Sequence, residues 1–108
     1  LYVANSDSKN PVIMKYQITE EGVISPEIFF DGSVLSKKDR GAFDGLKVHP
    51  SGTVFATGPG GVLLISSDGN HIGTIRTELR TANCTFDTNY KYLYMTSSKF
   101  LTRIKLIN

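Results

Sequence analysis

The chain has 108 residues and a formal net charge of +2, because twelve basic residues stand against ten acidic residues scattered along it. Its 40% hydrophobic content is that of an ordinary globular protein, and no apolar run comes near the roughly 18 residues needed to span a bilayer. No basic block of the kind that follows a phosphate backbone occurs, so we expect neither a membrane nor a nucleic acid as a partner. The single cysteine, Cys84, excludes an intrachain disulfide and is predicted to be a small buried apolar residue.

The first predicted unit consists of three β-strands. Residues 1–5 read apolar, aromatic, apolar, small and polar, and after a polar turn residues 12–18 form a second β-prone run. Residues 25–30 follow as the next strand. The pattern predicts antiparallel strands joined by short connections.

The second predicted unit repeats this pattern with one more strand. Residues 54–58 and 61–66 form a hairpin, and residues 72–76 follow as an outer strand. Residues 46–49 precede the hairpin and are joined to it by the turn Pro50-Ser51-Gly52. The unit therefore has four predicted strands, and residues 46–49 are the innermost.

The third predicted unit has an inner strand at residues 84–87 and a hairpin of residues 93–97 and 100–107. No segment has apolar residues at helical spacing, so the chain is predicted to be all-β with roughly ten strands. Four short antiparallel strands repeated about every 40 to 50 residues are typical of β-propeller blades. The chain would then hold about two and a half blades of a six-bladed propeller.

Both ends of the sequence lie close to predicted strands. The chain opens on a strand without an initiator methionine, and it stops shortly after the last strand. Six blades would need on the order of 270 residues. We therefore expect residues 1–108 to be one partial propeller, without a separate second domain, from a larger protein.

Asp44 and Asn83 hold equivalent positions in the second and third units, each ten residues before a following strand, at Val54 and Leu93. Because the first strand of a blade lines the central channel, we expect both side chains at the channel mouth, as neighbours around one ring. Carboxylate and amide oxygens suit Ca²⁺ or a similar divalent cation. The alternatives are a turn carboxylate that accepts backbone hydrogen bonds for Asp44, and a turn-capping or channel-filling amide for Asn83.

The segment from Gly58 to Gly61 is predicted to be a tight hairpin. It lacks the lysine and the following helix of a phosphate-binding loop. A propeller places this loop at the same end as Asp44, so Gly58 and Gly60 are candidates for bordering a substrate. The corresponding loops of the flanking units contain Asn5, Asp7, Ser97 and Ser98.

Five segments occur in a characteristic order and spacing, namely Phe43-Asp44-Gly45-Leu46-Lys47-Val48, Phe55-Ala56-Thr57-Gly58-Pro59-Gly60-Gly61-Val62, Asp68-Gly69-Asn70-His71-Ile72-Gly73-Thr74-Ile75, Ala82-Asn83-Cys84-Thr85-Phe86 and Leu93-Tyr94-Met95-Thr96. Together they resemble the C-terminal part of the gluconolactonase family, which includes the senescence-marker protein also called regucalcin. The likeness covers nearly the whole chain.

The resemblance implies a six-bladed propeller that hydrolyses sugar lactones with one divalent metal, Ca²⁺ first, with Zn²⁺ or Mg²⁺ as alternatives. The family's Pro-Asp-Gly motif falls on Phe43-Asp44-Gly45, which makes Asp44 a metal ligand and general base. Asn83, Gly58 and Gly60 become candidates for substrate binding. Phe43 replaces the usual proline, a change expected to reshape the turn without touching the ligand. The family's other ligands would lie upstream, so this chain alone is expected to be inactive.

The implied mechanism is metal-assisted ester hydrolysis, in which the ion polarises the lactone carbonyl and a carboxylate takes a proton from water. The alternative is a non-catalytic propeller that acts as a binding or sensor scaffold, because fold does not fix function. The expected partners are a small lactone and the remainder of the same propeller. Self-association through exposed edge strands is the other possibility for a protein partner.

Overall fold

The computed structural model describes Leu1–Ile107 and contains three antiparallel sheets that follow one another along the chain. Within these residues there are ten strands and one short helix. Their bounds are β1 Tyr2–Ala4, β2 Val12–Thr19, β3 Gly22–Asp31, α1 Ser33–Lys38, β4 Leu46–Val48, β5 Val54–Gly58, β6 Gly61–Ile65, β7 His71–Arg76, β8 Thr81–Phe86, β9 Tyr92–Ser97 and β10 Phe100–Lys105. The sheets have the orders β1-β2-β3, β4-β5-β6-β7 and β8-β9-β10.

This arrangement confirms the predicted fold class and the grouping of three, four and three strands into successive blades. The inner strands β4 and β8 lie next to each other, as expected for strands that line one channel. The predicted turn at Pro50-Ser51-Gly52 is also present. Gly52 has a φ of 91°, and its N–H donates a hydrogen bond to the His49 carbonyl over 2.8 Å.

The β5–β6 hairpin forms the centre of the molecule and is buried on both faces. Successive side chains of a strand point to opposite faces, so one half of the hairpin packs on the first sheet and the other half on the third. The core facing the first sheet contains Ile13, Phe43, Val54, Ala56, Leu63 and Ile65, and the core facing the third sheet contains Phe55, Val62, Cys84, Leu93 and Met95. Two apolar layers therefore hold three sheets face to face.

The sequence pattern predicts no helix, and the structure differs at α1, between β3 and β4. The Asp31 carboxylate accepts hydrogen bonds from the N–H (2.9 Å) and hydroxyl (2.6 Å) of Ser33, which satisfies a donor at the start of the helix. Six residues are too few for a helical period to stand out in a window of about 11 residues. No helix in the described part of the chain is long and apolar enough to cross a bilayer.

The third sheet begins earlier than predicted. β8 starts at Thr81, which pairs with Ser97, and the register shifts between Thr81 and Asn83. Such a shift marks a β-bulge, which turns a side chain away from the regular ladder. The hydroxyls of Thr81 and Ser97 lie 3.2 Å apart in the interior and extend the pairing. Asn83 therefore lies inside the inner strand, not at its head as the sequence suggested.

Phe43 does more than reshape the turn before Asp44. Its side chain has 0% exposure and packs between the first and second sheets. A Cβ added at Gly32 or at Gly58 would come within 2.5 Å or 2.8 Å of the Phe43 ring. The ring fits because both neighbouring backbone positions are glycines, and it joins the α1 connection to β5.

Cys84 is buried in the core, as predicted, with 4% exposure. Its Sγ lies 3.7 Å from the Phe55 carbonyl oxygen, to which the thiol donates a weak hydrogen bond. Burial raises the pKa of the thiol to about 11, because the interior disfavours the thiolate. The residue contributes packing between the second and third sheets.

Replacing Phe43 with alanine is expected to lower the free energy of unfolding by about 3–5 kcal/mol, the usual cost of truncating a buried phenylalanine. The cavity would open between the first two sheets. Guanidinium denaturation at one fixed protein concentration measures the change. Val34→Ala is the control, because Val34 is 64% exposed on α1 and its truncation should change stability by less than about 0.5 kcal/mol. Equal losses for the two variants would contradict the role given to Phe43.

Cys84 is expected to react with an aromatic disulfide reagent at pH 8 at least about 100-fold more slowly in the folded chain than in denaturant. The thiolate is the reactive species, and a pKa raised to about 11 keeps the folded thiol protonated below that pH. The rate for the folded chain should rise about tenfold for each pH unit and level off only near pH 11. Absorbance of the released thiolate measures the rate, and equal rates with and without denaturant would contradict the burial of Cys84.

Candidate active site

Asp44 lies just before β4, and the turn that carries it is fixed from two sides. The Asp44 N–H donates a hydrogen bond to the Thr57 carbonyl (3.2 Å), and the Gly45 N–H donates to the Ala82 carbonyl (2.9 Å). Thr57 donates from its own N–H to the Gly45 carbonyl (2.9 Å), and its hydroxyl lies 3.0 Å from the same oxygen. The backbone at Asp44 is therefore bonded both to β5 of its own sheet and to β8 of the next.

Asn83 lies beside Gly45, the residue that follows Asp44. A Cβ at Gly45 would overlap the Asn83 Oδ1, so glycine is what allows β8 to approach the turn this closely. Asn83 Oδ1 accepts a hydrogen bond from the Cys84 N–H over 2.9 Å, and the Asn83 N–H donates to Thr96 Oγ1 over 3.1 Å. The amide oxygen thus accepts one hydrogen bond from the next residue of its own strand.

The Asp44 carboxylate is exposed, and within Leu1–Ile107 it accepts no hydrogen bond and forms no ion pair. Other aspartates in turns do accept hydrogen bonds from the backbone. Asp7 accepts from the Lys9 N–H over 2.9 Å, and Asp87 accepts from two N–H groups over 2.7 and 3.0 Å. Asp44 therefore does not accept the backbone hydrogen bonds expected of a carboxylate that only stabilises a turn. Its carboxylate is accessible to a ligand.

The connection between β5 and β6 is the predicted tight hairpin. Gly58 pairs with Gly61, and Pro59 and Gly60 form the turn. Gly60 has a φ of 86° and Gly61 a φ of 142°, a backbone region that favours glycine. The Gly60 N–H donates to the Arg40 carbonyl over 2.9 Å, so the hairpin lies at the same end of the sheet as the Asp44 turn.

Two adjoining clefts open at this end. Asp44 lines one of about 290 Å³, Gly58 and Gly60 line one of about 340 Å³, and Arg80 lines both. Asn83 lines a different depression, of about 250 Å³. The structure therefore brings Asp44, Gly58 and Gly60 to one end of the molecule, and the Asn83 side chain lies beside Gly45 but lines a different depression.

Arg80 is a residue of this site that the sequence motifs did not reveal. It lies directly before β8, and its carbonyl accepts a hydrogen bond from the Ser98 N–H over 2.8 Å. The available signal was its position three residues before Asn83, in the loop that enters an inner strand. Such loops open at the channel mouth of a propeller.

The described residues form no cluster of acidic, histidine or cysteine side chains around Asp44. In the part of the chain that the structure describes, no three His, Cys, Asp or Glu side chains come together. Asp44 offers an oxygen donor of the kind that Ca²⁺ takes in a shell of about six to eight. A carboxylate or histidine that completes such a cluster with Asp44 would have to come from outside the described residues.

Known proteins resemble this chain over a third of their length. A gluconolactonase from Zymomonas mobilis subsp. mobilis is 27% identical over 110 residues, which is 97% of this chain and 31% of that protein. The structure of a gluconolactonase from Xanthomonas campestris matches with a TM-score of 0.86 at 24% identity, over 98% of this chain and 33% of that one. A luciferin-regenerating enzyme matches with a TM-score of 0.73 at 17% identity, over 90% and 33%. The two structural matches show the fold.

The match to a protein family covers most of the sequence. Residues 1–99 match the family described as SMP-30/Gluconolactonase/LRE-like region. The matched range includes β1 to β9 and the whole Asp44 turn. This agrees with the resemblance drawn from the sequence motifs, and the chain belongs to the SMP-30/gluconolactonase/LRE-like family.

Proposed function

We propose that the complete protein hydrolyses a sugar lactone and that this chain supplies Asp44 to the active site. Membership of the family and the likeness to the Zymomonas gluconolactonase support a lactone as substrate. The observation that carries the proposal is the turn before β4. Two sheets fix its backbone, while the Asp44 carboxylate has no partner in the described chain.

Lactone hydrolysis requires water to attack the ring carbonyl carbon and the ring C–O bond to break, which gives the open-chain acid. In this proposal the Asp44 carboxylate takes a proton from the attacking water as general base. The hydrogen bonds of Asp44 and Gly45 hold that carboxylate at a defined place, so little reorganisation precedes the reaction. The exposure of Asp44 leaves room for water and substrate.

We propose that Asp44 is also one ligand of a divalent cation, Ca²⁺ in the first instance, with Zn²⁺ or Mg²⁺ as alternatives. A cation held there would polarise the lactone carbonyl and stabilise the developing negative charge on its oxygen. Further carboxylate or histidine ligands would come from outside the described residues, because Asp44 belongs to no cluster of acidic or histidine side chains within them. The 108-residue chain alone should therefore hydrolyse no lactone.

Gly58 and Gly60 are proposed to border the substrate, because they line the cleft that adjoins Asp44. With no side chains they let a ligand approach the backbone closely. Asn83 would contact a substrate through its amide nitrogen or through the second lone pair of Oδ1, because the Cys84 N–H occupies one acceptor position of that oxygen.

Asp44→Asn in the full-length protein is expected to lower kcat for gluconolactone by about 10²–10⁴-fold, the usual contribution of a general base. The substitution keeps the size of the side chain and removes its ability to take a proton. A pH-indicator assay of acid release measures the rate. A variant with at least half of the original kcat would contradict the role of Asp44.

The matched control is Asp68→Asn, because Asp68 is another exposed turn aspartate, in the β6–β7 connection away from the Asp44 turn. Its activity should stay within twofold of the original. Calorimetric titration with Ca²⁺ provides a second measurement, in which Asp44→Asn should weaken binding and Asp68→Asn should not. Unchanged Ca²⁺ binding in Asp44→Asn would contradict its role as a ligand.

We also propose that the first and last strands of the described chain, β1 and β10, form its contacts with other protein strands. β1 pairs only with β2 and β10 only with β9 within Leu1–Ile107, so each leaves one row of backbone groups without a partner strand. These strands carry exposed apolar side chains, among them Val3 and Leu101, which is 74% exposed. Such edges would pair with other strands of the same propeller in the complete protein, and with copies of the chain when it is isolated.

The isolated 108-residue chain is expected to associate at micromolar concentration, because unpaired edges and apolar side chains favour strand addition. Sedimentation velocity over a range of concentrations measures the effect. Leu101→Lys places a charge on the β10 edge and should shift the distribution toward the monomer. A cooperatively melting monomer at all concentrations would contradict the proposed contacts.

A further inference from the structure

We propose that the cleft between Arg40 and Arg80 binds a phosphate ester, so that the preferred substrate is a phosphorylated sugar lactone. This inference rests on the proposed hydrolysis of a lactone at Asp44, and it adds the class of substrate. Three features carry it, namely the charge balance of the cleft, the anchoring of the two arginines and the connection to Asp44.

The cleft carries a formal charge of +1, from three arginines against two carboxylates, and two of its guanidinium groups have no hydrogen-bond partner among the described residues. The cleft is lined by Asp39, Arg40, Arg76, Glu78 and Arg80 among others. Arg76 donates to both carboxylate oxygens of Asp39, over 2.6 and 3.2 Å. The Glu78 carboxylate lies near enough to raise the pKa of Arg76 further by attraction between the opposite charges. Neither the Arg40 nor the Arg80 guanidinium makes a hydrogen bond or ion pair with any residue of Leu1–Ile107.

Backbone hydrogen bonds anchor both arginines at the rim of the same cleft. The Arg40 carbonyl accepts from the Gly60 N–H over 2.9 Å, and the Arg80 carbonyl accepts from the Ser98 N–H over 2.8 Å. Each arginine is thus tied to the hairpin of a different sheet. A guanidinium presents several N–H donors in a planar fork that matches phosphate and carboxylate oxygens.

The cleft adjoins the one that holds Asp44, because Arg80 lines both. With volumes of about 340 and 290 Å³, the two clefts can hold different parts of one sugar-sized molecule. A lactone ring beside Asp44 would then place a remote anionic group between Arg40 and Arg80.

A phosphate ester fits two guanidinium groups better than a carboxylate does. It carries about −1.5 to −2 charges near neutral pH and has three acceptor oxygens. A carboxylate carries one charge and is satisfied by a single arginine, as Asp39 is by Arg76. Two guanidinium groups without partners therefore favour a phosphate over a second carboxylate.

Calorimetric titration of the full-length protein with sugar acids tests the inference. 6-Phosphogluconate should bind at least about tenfold more tightly than gluconate, because it adds charge-assisted hydrogen bonds. Arg40→Gln and Arg80→Gln should each weaken 6-phosphogluconate binding about tenfold and leave gluconate binding much less affected. The matched control is Arg103→Gln, which removes the same charge on β10, outside the lining of the cleft, and should have little effect.

Three outcomes would overturn the inference. One is equal affinity for 6-phosphogluconate and gluconate, and a second is equal weakening by Arg80→Gln and Arg103→Gln. The third is equal affinity for 6-phosphogluconate and glucarate, which would assign the cleft to carboxylates. The ratio of kcat/KM for the phosphorylated lactone over gluconolactone should also fall in Arg80→Gln.

This design separates the inference from the proposed function. In one outcome the protein binds 6-phosphogluconate through its arginines and yet hydrolyses no lactone. That result would contradict the proposed activity and support the anion-binding cleft. Hydrolysis that depends on Asp44 but shows no preference for a phosphorylated lactone would support the activity and overturn the cleft.

Discussion

Burial of the β5–β6 hairpin on both faces is the constraint on which the rest of the structure depends. Because one half of its side chains packs on the first sheet and the other half on the third, the three sheets must stack closely. Close stacking leaves little room where the strands begin, and glycine occupies the points of nearest approach. Gly58 accommodates the Phe43 ring, and Gly45 accommodates the Asn83 side chain. The Asp44 turn is therefore positioned by packing between sheets as much as by its own sequence.

Polar groups inside this stack are satisfied across the sheets. Thr57 is completely buried, and its hydroxyl lies 3.0 Å from the Gly45 carbonyl and 3.2 Å from the Ala82 carbonyl. A buried hydroxyl without a partner would cost free energy, so this contact favours one relative placement of the second and third sheets. No buried side-chain oxygen or nitrogen in the described chain lacks a hydrogen-bond partner. The hydrogen bonds that satisfy the buried Thr57 are also ones that fix the turn of the candidate site.

The features that could be predicted from the sequence are those that depend on residues close together along the chain. Alternation along residues 54–58, turn residues such as Gly52 and Gly60, and the spacing of similar segments were enough to predict the strands and their grouping. α1 was missed because six residues show no period, and the start of β8 because it depends on Thr81 meeting Ser97. The position of Asp44 in its turn followed from repeat spacing. Arg80 did not, because only the folded chain shows which cleft it lines.

The contact between the Asp44 turn and β8 also relates the two proposals. Gly45, directly after Asp44, donates to the Ala82 carbonyl, and Arg80 lies two residues before Ala82. The separation between the Asp44 carboxylate and the Arg80 side chain is therefore limited by one hydrogen bond between neighbouring sheets and by the short stretches of chain beside it. A change in the packing of the second sheet on the third would move the proposed base relative to the proposed anion cleft. Mutations in the core between these sheets, far from any ligand, should then alter which lactone is preferred before they unfold the chain.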